Sequence, residues 1–142
     1  MTRDELEQIY YLNRELRVLE RELERICGQS LIQSPQPNAS HGSGVSDKVG
    51  RLAQKRVDTE QLIRDKKAEI QHQRDKALEY IYSIPDSLTR QVVYYRCVSL
   101  FSWKRVAYEV GGNNTEESVR KVYTRLFDKQ ENLSVLSDLG VV

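Results

Sequence analysis

The sequence has few of the residues that build disulfide frameworks, metal sites or membrane spans. Its two cysteines, Cys27 and Cys97, lie far apart and neither belongs to a Cys/His cluster. We therefore expect reduced thiols, no metal and no cofactor. Apolar runs are only a handful of residues long, well short of the roughly 20 that a transmembrane helix needs. The acidic first residues lack the apolar stretch of a secretory signal. These absences predict a cytoplasmic protein with no membrane partner.

Charge of one sign is not in excess either. The 22 basic and 21 acidic residues give a net charge of +1, which excludes a strongly basic protein that coats nucleic acid but not a local basic surface. No Ser/His/Asp order, Gly-rich phosphate loop or isolated carboxylate pair stands out. The two histidines, His41 and His72, lack ligand partners at suitable spacing. We expect no catalytic residues and no enzymatic activity.

Three prolines and seven glycines interrupt a chain rich in good helix formers. In the first 27 residues, apolar side chains recur at alternating steps of three and four, which predicts a coiled-coil helix. Its charged residues predict a solvated face with i,i+4 ion pairs. Gly28 is expected to end this helix, and residues 28–45 predict a flexible loop. The apolar seam consists of Ile9, Leu12, Leu16, Leu19, Leu23 and Ile26.

A second helix is predicted from about Ser46 to Tyr82, with a more polar seam. The two helices together predict an antiparallel coiled-coil hairpin over residues 1–84. The seam could also join a second chain, which makes a homodimer through this hairpin a candidate assembly. The second seam consists of Val49, Leu52, Arg56, Thr59, Ile63, Lys66, Ile70, Gln73, Ala77 and Tyr80.

Pro85 interrupts the helical pattern, and most aromatic residues lie beyond it. We expect a second domain over residues 85–142, with helices over 86–99, 103–110 and about 116–132. Ser102 is the expected N-cap of the middle helix, and Thr115 or Asn114 that of the last. Tyr94, Tyr95, Tyr108 and Tyr123 are expected to pack between helices. The predicted fold class is therefore all-α: a long antiparallel hairpin followed by a C-terminal helical domain.

Residues 103–132 have the pattern of a helix-turn-helix motif. Ala107 is small where two helices must cross closely, and Gly111 permits a tight reversal. Val119, Val122 and Leu126 form the inner stripe of the last helix, which would read the DNA major groove with its outer face. The pattern also fits an all-helical core with a solvated charged face. The candidate DNA-binding residues are Lys104, Arg105, Thr115, Glu117, Ser118, Arg120, Lys121, Thr124 and Arg125.

Residues 86–125 contain Tyr95-Arg96, Ser102-Trp103, Val106-Ala107, Ser118-Val119-Arg120, Tyr123 and Arg125. With these residues the segment resembles region four of bacterial sigma factors. It resembles more closely the sigma-like regulators encoded by phages and prophages of Gram-positive bacteria, of the ArpU/RinA type. The resemblance covers roughly a third of the chain, and its Tyr-Arg order is the reverse of the family pattern. It implies double-stranded DNA and RNA polymerase as partners and control of phage or prophage genes.

Two other functions remain open at this point. A DNA-packaging subunit similar to small terminase subunits would also join a helix-turn-helix to an oligomerising coil, although there the DNA-binding domain comes first. A ring of many subunits would favour it. The other is a protein-interaction module that binds RNA polymerase or a regulator without DNA. Glu116 and Glu117 favour this module, because their carboxylates repel phosphate at the start of the helix.

Overall fold

All regular structure in the described part of the chain is helical, which confirms the all-α prediction. A computed structural model describes residues 1–32 and 44–140. No helix within these ranges is long and apolar enough to cross a membrane. The helices are α1 (Arg3–Ile32), α2 (Gly44–Ser83), α3 (Ser87–Val93), a π-helical segment (Tyr94–Val98), α4 (Trp103–Val110) and α5 (Glu116–Asp138).

The chain divides into two compact units, and α1 and α2 each contribute to both. Unit 1 consists of Met1–Tyr10 and the chain from His72 onward, and unit 2 is Tyr11–Gln71. This division differs from the predicted boundary at residue 84. The reason is that the first turns of α1 and the last turns of α2 bury Leu6, Ile9, Ala77 and Ile81 in one core with the C-terminal helices.

Unit 2 contains an antiparallel pair of helical segments. Two ion pairs join them: Glu15 Oε2 lies 3.1 Å from Lys66 Nζ, and Glu22 Oε1 lies 3.4 Å from Lys55 Nζ. The residue later in α1 pairs with the residue earlier in α2, so the two segments run in opposite directions. The antiparallel arrangement predicted from the seams is thus found in this unit.

The predicted seams supply the interior of unit 2. Thr59 is buried, and its hydroxyl donates a hydrogen bond to the Lys55 carbonyl at 2.8 Å, so its burial leaves no polar group unsatisfied. Val49 and Arg56 are exposed, so the seam predicted for α2 is wrong at these two positions. The buried seam residues of this unit are Leu12, Ile26, Thr59, Ile63 and Ile70.

Helix α1 continues past Gly28, where the sequence predicted its end. A glycine ends a helix when it adopts a positive φ, and Gly28 does not adopt one. An interior glycine costs a helix only about 1 kcal/mol relative to alanine, which is too little to end this one. The predicted loop over 28–45 is wrong for 28–32 and 44–45, which are helical. The rest of that loop, with His41, lies outside the described residues.

The core of unit 1 draws apolar side chains from every helix of that unit. Each fully buried valine, leucine or isoleucine contributes about 1.5–3 kcal/mol relative to an exposed one. This core therefore fixes the positions of α3, α4 and α5 against one another. Its buried members are Leu6, Ile9, Ala77, Ile81, Ile84, Val92, Val93, Cys97, Val98, Val106, Ala107, Val119, Tyr123 and Phe127.

An acid-labile ion pair stabilises unit 2. Arg25 donates to both carboxylate oxygens of Glu22, at 2.6 and 3.0 Å. This hydrogen bonding, together with Lys55, lowers the pKa of Glu22 to about 2. A depressed folded pKa contributes stability above the unfolded value of about 4.5 and loses it as pH falls toward 2. We expect the melting temperature of Glu22→Gln to lie below that of the parent at pH 6, and the gap to close between pH 4.5 and 2.

The matched control for this prediction is Glu20→Gln. Glu20 is an exposed glutamate of the same helix that makes no ion pair among the described residues. Its substitution should leave a melting-temperature difference that does not depend on pH. A Glu22→Gln difference that is equally independent of pH would contradict the assignment.

Candidate nucleic-acid interface

The connection between α2 and α3 is held by side-chain hydrogen bonds. The Asp86 carboxylate accepts from the Thr89 hydroxyl at 2.6 Å and from its backbone N–H at 2.9 Å, which caps α3 and lowers the pKa of Asp86. Arg90 donates to the carbonyls of Ile84 and Pro85, at 2.7 and 3.1 Å. These bonds fix the start of α3 and hence the platform on which α4 and α5 pack.

The chain turns from α3 into α4 through a π-helical segment. The sequence predicted one continuous helix over 86–99, but the α-helix ends at Val93 and Tyr94–Val98 is π-helical. Leu100 then takes a positive φ of 58°. The Arg96 guanidinium donates to the Phe101 carbonyl at 2.9 Å and lies 4.6 Å from the centre of the Trp103 ring. The Arg96 guanidinium therefore makes its contacts within the protein, and these contacts stabilise the turn between the π-helical segment and α4.

Helix α4 begins and ends where the sequence predicts. The Ser102 hydroxyl accepts a hydrogen bond from the Arg105 backbone N–H at 3.3 Å, so Ser102 is the N-cap. Val106 and Ala107 are buried on the inner face. The small side chain of Ala107 lets α5 pack closely against α4. Gly111 follows the last helical residue with φ +68°.

The turn between α4 and α5 contains three successive residues with positive φ. Gly111, Gly112 and Asn113 have φ values of 68°, 63° and 63°, a region that glycine and asparagine tolerate and β-branched residues do not. The Asn114 side chain donates to the Gly111 carbonyl at 2.7 Å and closes the turn. This chemistry makes the reversal from α4 to α5 a defined conformation.

The start of α5 is fixed by a reciprocal cap. The Thr115 hydroxyl accepts from the Ser118 N–H at 3.1 Å, and the Ser118 hydroxyl accepts from the Thr115 N–H at 2.8 Å. Thr115 is thus the N-cap, one of the two predicted candidates. Both hydroxyls, which belong to candidate DNA-binding residues, are engaged in holding the helix terminus.

An aromatic cluster anchors the inner face of α5. Tyr123 is 2% exposed, and its ring packs edge-on against Trp103 and Phe127, with centroids 5.3 and 4.9 Å away. Val119 is also buried, whereas the predicted inner residues Val122 and Leu126 are half-buried. The helix extends to Asp138, beyond the predicted end near residue 132.

The outer face of α5 carries charged side chains held in weak ion pairs. Lys121 Nζ lies 3.1 Å from a Glu117 carboxylate oxygen, and Arg120 Nη2 lies 3.0 Å from Glu116. Exposed i,i+4 pairs contribute little to stability, so a phosphate or base edge can replace either carboxylate. Thr124 is half-buried and its hydroxyl donates to the Arg120 carbonyl at 3.0 Å.

The remaining candidate residues lie beside this face. Lys104 and Arg105 are exposed on α4, and the Arg105 guanidinium lies 3.9 Å from the centre of the Phe101 ring. Arg125 is exposed on α5 and, with Lys129, lines an open groove of about 330 Å³. The structure therefore brings Lys121 and Arg125 to the outer side of α5, with Arg125 next to the groove.

Tyr108 is an exposed aromatic residue, although the sequence predicts that it packs between helices. It is 83% exposed, so that prediction is wrong for Tyr108, whereas Tyr94 is partly exposed and packs edge-on against Tyr95 with centroids 5.5 Å apart. Tyr95 does pack, stacked on Phe101 with centroids 5.8 Å apart. The helical position of Tyr108, on the side of α4 opposite the buried Val106, was the signal that could have identified it as a surface residue.

Burial should make the two cysteines differ in reactivity. Cys97 is 3% exposed, its Sγ lies 3.6 Å from Tyr123 Oη, and burial raises the pKa of its thiol to about 11. Cys27 is half-buried. Since the thiolate is the reactive form, we expect iodoacetamide at pH 8 to modify Cys27 and spare Cys97, as read by peptide mass spectrometry.

The control for the labelling is Cys27→Ser, which should leave the native protein unmodified until urea is added. Rapid modification of Cys97 in the native protein would contradict the packing around Tyr123.

Within residues 1–32 and 44–140, no group of three or more His, Cys, Asp or Glu side chains could hold a metal ion.

Comparisons of this chain with protein-family models, with curated proteins and with solved structures find no match. The resemblance to sigma region four accordingly stays a prediction.

Proposed function

We propose that the protein is a sequence-specific DNA-binding transcriptional regulator in which α5 is the recognition helix. The observation that carries the proposal is the α4–turn–α5 arrangement. Two capped helices are joined by the five residues Gly111 to Thr115, and both contribute to the buried core, which includes Ala107 and Val119. A short helix, a glycine-containing turn and a second helix with a free polar face are the parts of a helix-turn-helix.

The charges on the outer surface support a role at DNA. Lys121 and Arg125 on α5, with Lys104 on α4, are exposed cations that could contact phosphates or guanine edges. The carboxylate of Glu117 repels phosphate but accepts a hydrogen bond from the amino group of cytosine. Cations combined with the two acids of the first turn, Glu116 and Glu117, favour selective base contacts over uniform backbone binding.

The regulatory part of the proposal rests on the resemblance to sigma-like phage regulators. That resemblance suggests promoter-proximal sites, control of phage or prophage genes, and RNA polymerase as a partner. Since helix-turn-helix proteins commonly read two half-sites as dimers, a homodimer would raise the affinity of a protein whose net charge is only +1.

A second candidate function has one observation in its favour. The groove beside Arg125 and Lys129 has a largely apolar lining that includes Val122 and Leu126. Such a groove suits an apolar side chain of a partner protein, flanked by acidic residues that pair with the two cations. On this alternative the domain binds RNA polymerase or a regulator and does not contact DNA.

Genome-wide capture of DNA by the tagged protein in its host tests the proposal. We expect a small number of sharp sites near promoters, absent when Lys121→Ala and Arg125→Ala are combined. Sites confined to a single locus from which phage DNA is packaged would favour the alternative of a DNA-packaging subunit. No enrichment over background would contradict DNA binding and favour the protein-interaction function.

A further inference from the structure

Four arginines lie in a row on α1 within unit 2. Arg14, Arg17, Arg21 and Arg25 follow one another at steps of three, four and four residues, a spacing that places them on one side of a helix. All four are exposed. The row lies on the side of α1 opposite the buried seam that contains Leu12. We call these four residues the arginine stripe.

Three members of the stripe have no partner among the described residues. Arg25 is paired with Glu22 at 2.6 Å, but Arg14, Arg17 and Arg21 make neither an ion pair nor a side-chain hydrogen bond there. The prediction of i,i+4 ion pairs on the charged face of α1 is therefore wrong for these three arginines.

The carboxylates of α1 leave most of the stripe uncompensated. Glu15 is paired with Lys66 of α2, and Glu22 is shared between Arg25 and Lys55. Glu20 and Glu24 are exposed at the edge of the stripe. Neither lies within ion-pair distance of an arginine in the described chain.

The stripe works against the stability of its own helix. Like charges three and four residues apart repel and destabilise a helix, and the stripe contains three such neighbouring pairs in succession. Arg14 has no acid at three or four residues on either side. A row of cations of which only Arg25 is paired within the described chain is suited to an external anion with a matching row of charges.

We infer that the arginine stripe binds the phosphate backbone of duplex DNA, as a contact independent of sequence. From Arg14 to Arg25 the helix rises about 16 Å, a length over which one DNA strand presents about five phosphates. Guanidinium groups bind phosphate in a bidentate manner that ammonium groups cannot match, and every basic residue of α1 is an arginine. The inference takes from the proposed function only that the partner is duplex DNA.

An anionic membrane is the less suitable partner. A helix that binds a lipid surface needs a broad apolar face free to enter it, but the apolar face of α1 lies in the interior of unit 2. Among the α1 side chains of this unit whose burial the structure describes, residues 11–29, the exposed large apolar ones are Tyr11 and Val18. Two separated side chains do not form such a face.

The test is the salt dependence of binding to a duplex of random sequence. The variant combines Arg14→Gln, Arg17→Gln and Arg21→Gln in the full chain. Each lost phosphate contact lowers the slope of log K against log salt by about 0.9, so the three together should lower it by about 2.7. Affinity at low salt should fall at least tenfold. The melting temperature should stay level or rise, because like-charge repulsion is removed.

A charge-matched variant separates a local contact from a change in net charge. It combines Arg51→Gln, Arg64→Gln and Lys67→Gln, three exposed cations of α2, and should keep most of the parent slope. Equal slopes for the two variants would overturn the inference, as would an unchanged slope for the stripe variant. Loss of binding to phosphatidylserine vesicles with no change on DNA would also overturn it, in favour of a membrane contact.

The readouts distinguish this inference from the proposed function. The stripe is tested by the salt slope on random DNA, whereas α5 is tested by the ratio of affinities for a selected and a random duplex. A stripe variant that keeps this ratio while it loses slope supports the inference, whatever Lys121→Ala with Arg125→Ala does to the ratio. If the stripe variant instead loses this ratio and keeps the salt slope, the inference about the stripe is overturned, and the proposed function of α5 is not affected.

Discussion

Combining Lys121→Ala with Arg125→Ala is expected to lower affinity for the specific duplex at least thirtyfold. Each side-chain contact to a base edge or its phosphate is worth about 1–3 kcal/mol, so two lost contacts cost about 2 kcal/mol or more. Both residues are exposed, and alanine favours helix, so circular dichroism should not change. The specific duplex is obtained by selection from a random pool with the parent protein, and affinity is measured by fluorescence anisotropy.

The control for this prediction removes the same charge elsewhere. Arg64→Ala combined with Lys67→Ala takes two exposed cations from α2 and should change affinity severalfold at most. It should also leave the preference for the selected duplex over random DNA intact. An unchanged affinity of the Lys121→Ala/Arg125→Ala variant would contradict the assignment of α5 as the recognition helix.

Tyr123→Ala is expected to be among the most destabilising substitutions in the chain. The ring is the centre of the Trp103–Tyr123–Phe127 cluster and also lies under the Arg3 guanidinium at 5.5 Å. Truncation of a buried aromatic residue to alanine costs about 3–5 kcal/mol. For a chain of this size that corresponds to a fall in melting temperature of roughly 10–20 °C, measured by thermal circular dichroism.

Tyr108→Ala is the matched control for this substitution. It removes the same side chain from an exposed position of α4 and should change stability by no more than about 0.5 kcal/mol. Tyr123→Phe keeps the ring, and the hydroxyl contacts to Cys97 and Glu7 are long, at 3.6 and 3.5 Å. That variant should lose about 1 kcal/mol or less. Similar losses for Tyr123→Ala and Tyr108→Ala would contradict the core described for unit 1.

Local signals predicted much of the helical structure. The spacing of apolar residues identified the seam of α1 and the seam of α2 except at Val49 and Arg56, and the hydroxyls of Ser102 and Thr115 marked the starts of α4 and α5 correctly. These features depend on neighbours within one or two helical turns. The buried positions Val106, Ala107 and Val119 could be predicted for the same reason, because helical periodicity alone distinguishes inner from outer faces.

Features that depend on distant parts of the chain were not predicted. The seam pattern of α1 did not show that Leu6 and Ile9 share a core with Tyr123 and Phe127, because such packing requires the tertiary fold. The composition of the segment after Gly28 suggested that α1 ends there, but whether a helix ends at a glycine depends on the φ of that glycine, which the sequence does not give. The π-helical segment has no sequence pattern of its own.

The candidate site was predicted in outline and differs in detail. Lys121 and Arg125 are on the outer surface as expected, but the hydroxyls of Thr115 and Ser118 bond to each other's backbone. Capping residues and base-reading residues are both small and polar at the start of a helix. A sequence pattern therefore cannot separate the two roles, and hydrogen-bond geometry can.

The most direct test of the central claim is an NMR titration of the isotope-labelled protein with the selected duplex. The proposed function predicts that the largest amide and side-chain shifts fall on the outer positions of α5, at Glu117, Lys121 and Arg125. A random duplex should produce smaller shifts at these positions. Largest shifts around Val122 and Leu126, or no shifts in α5 at a duplex concentration that saturates binding, would contradict the assignment of α5 as the DNA-reading helix.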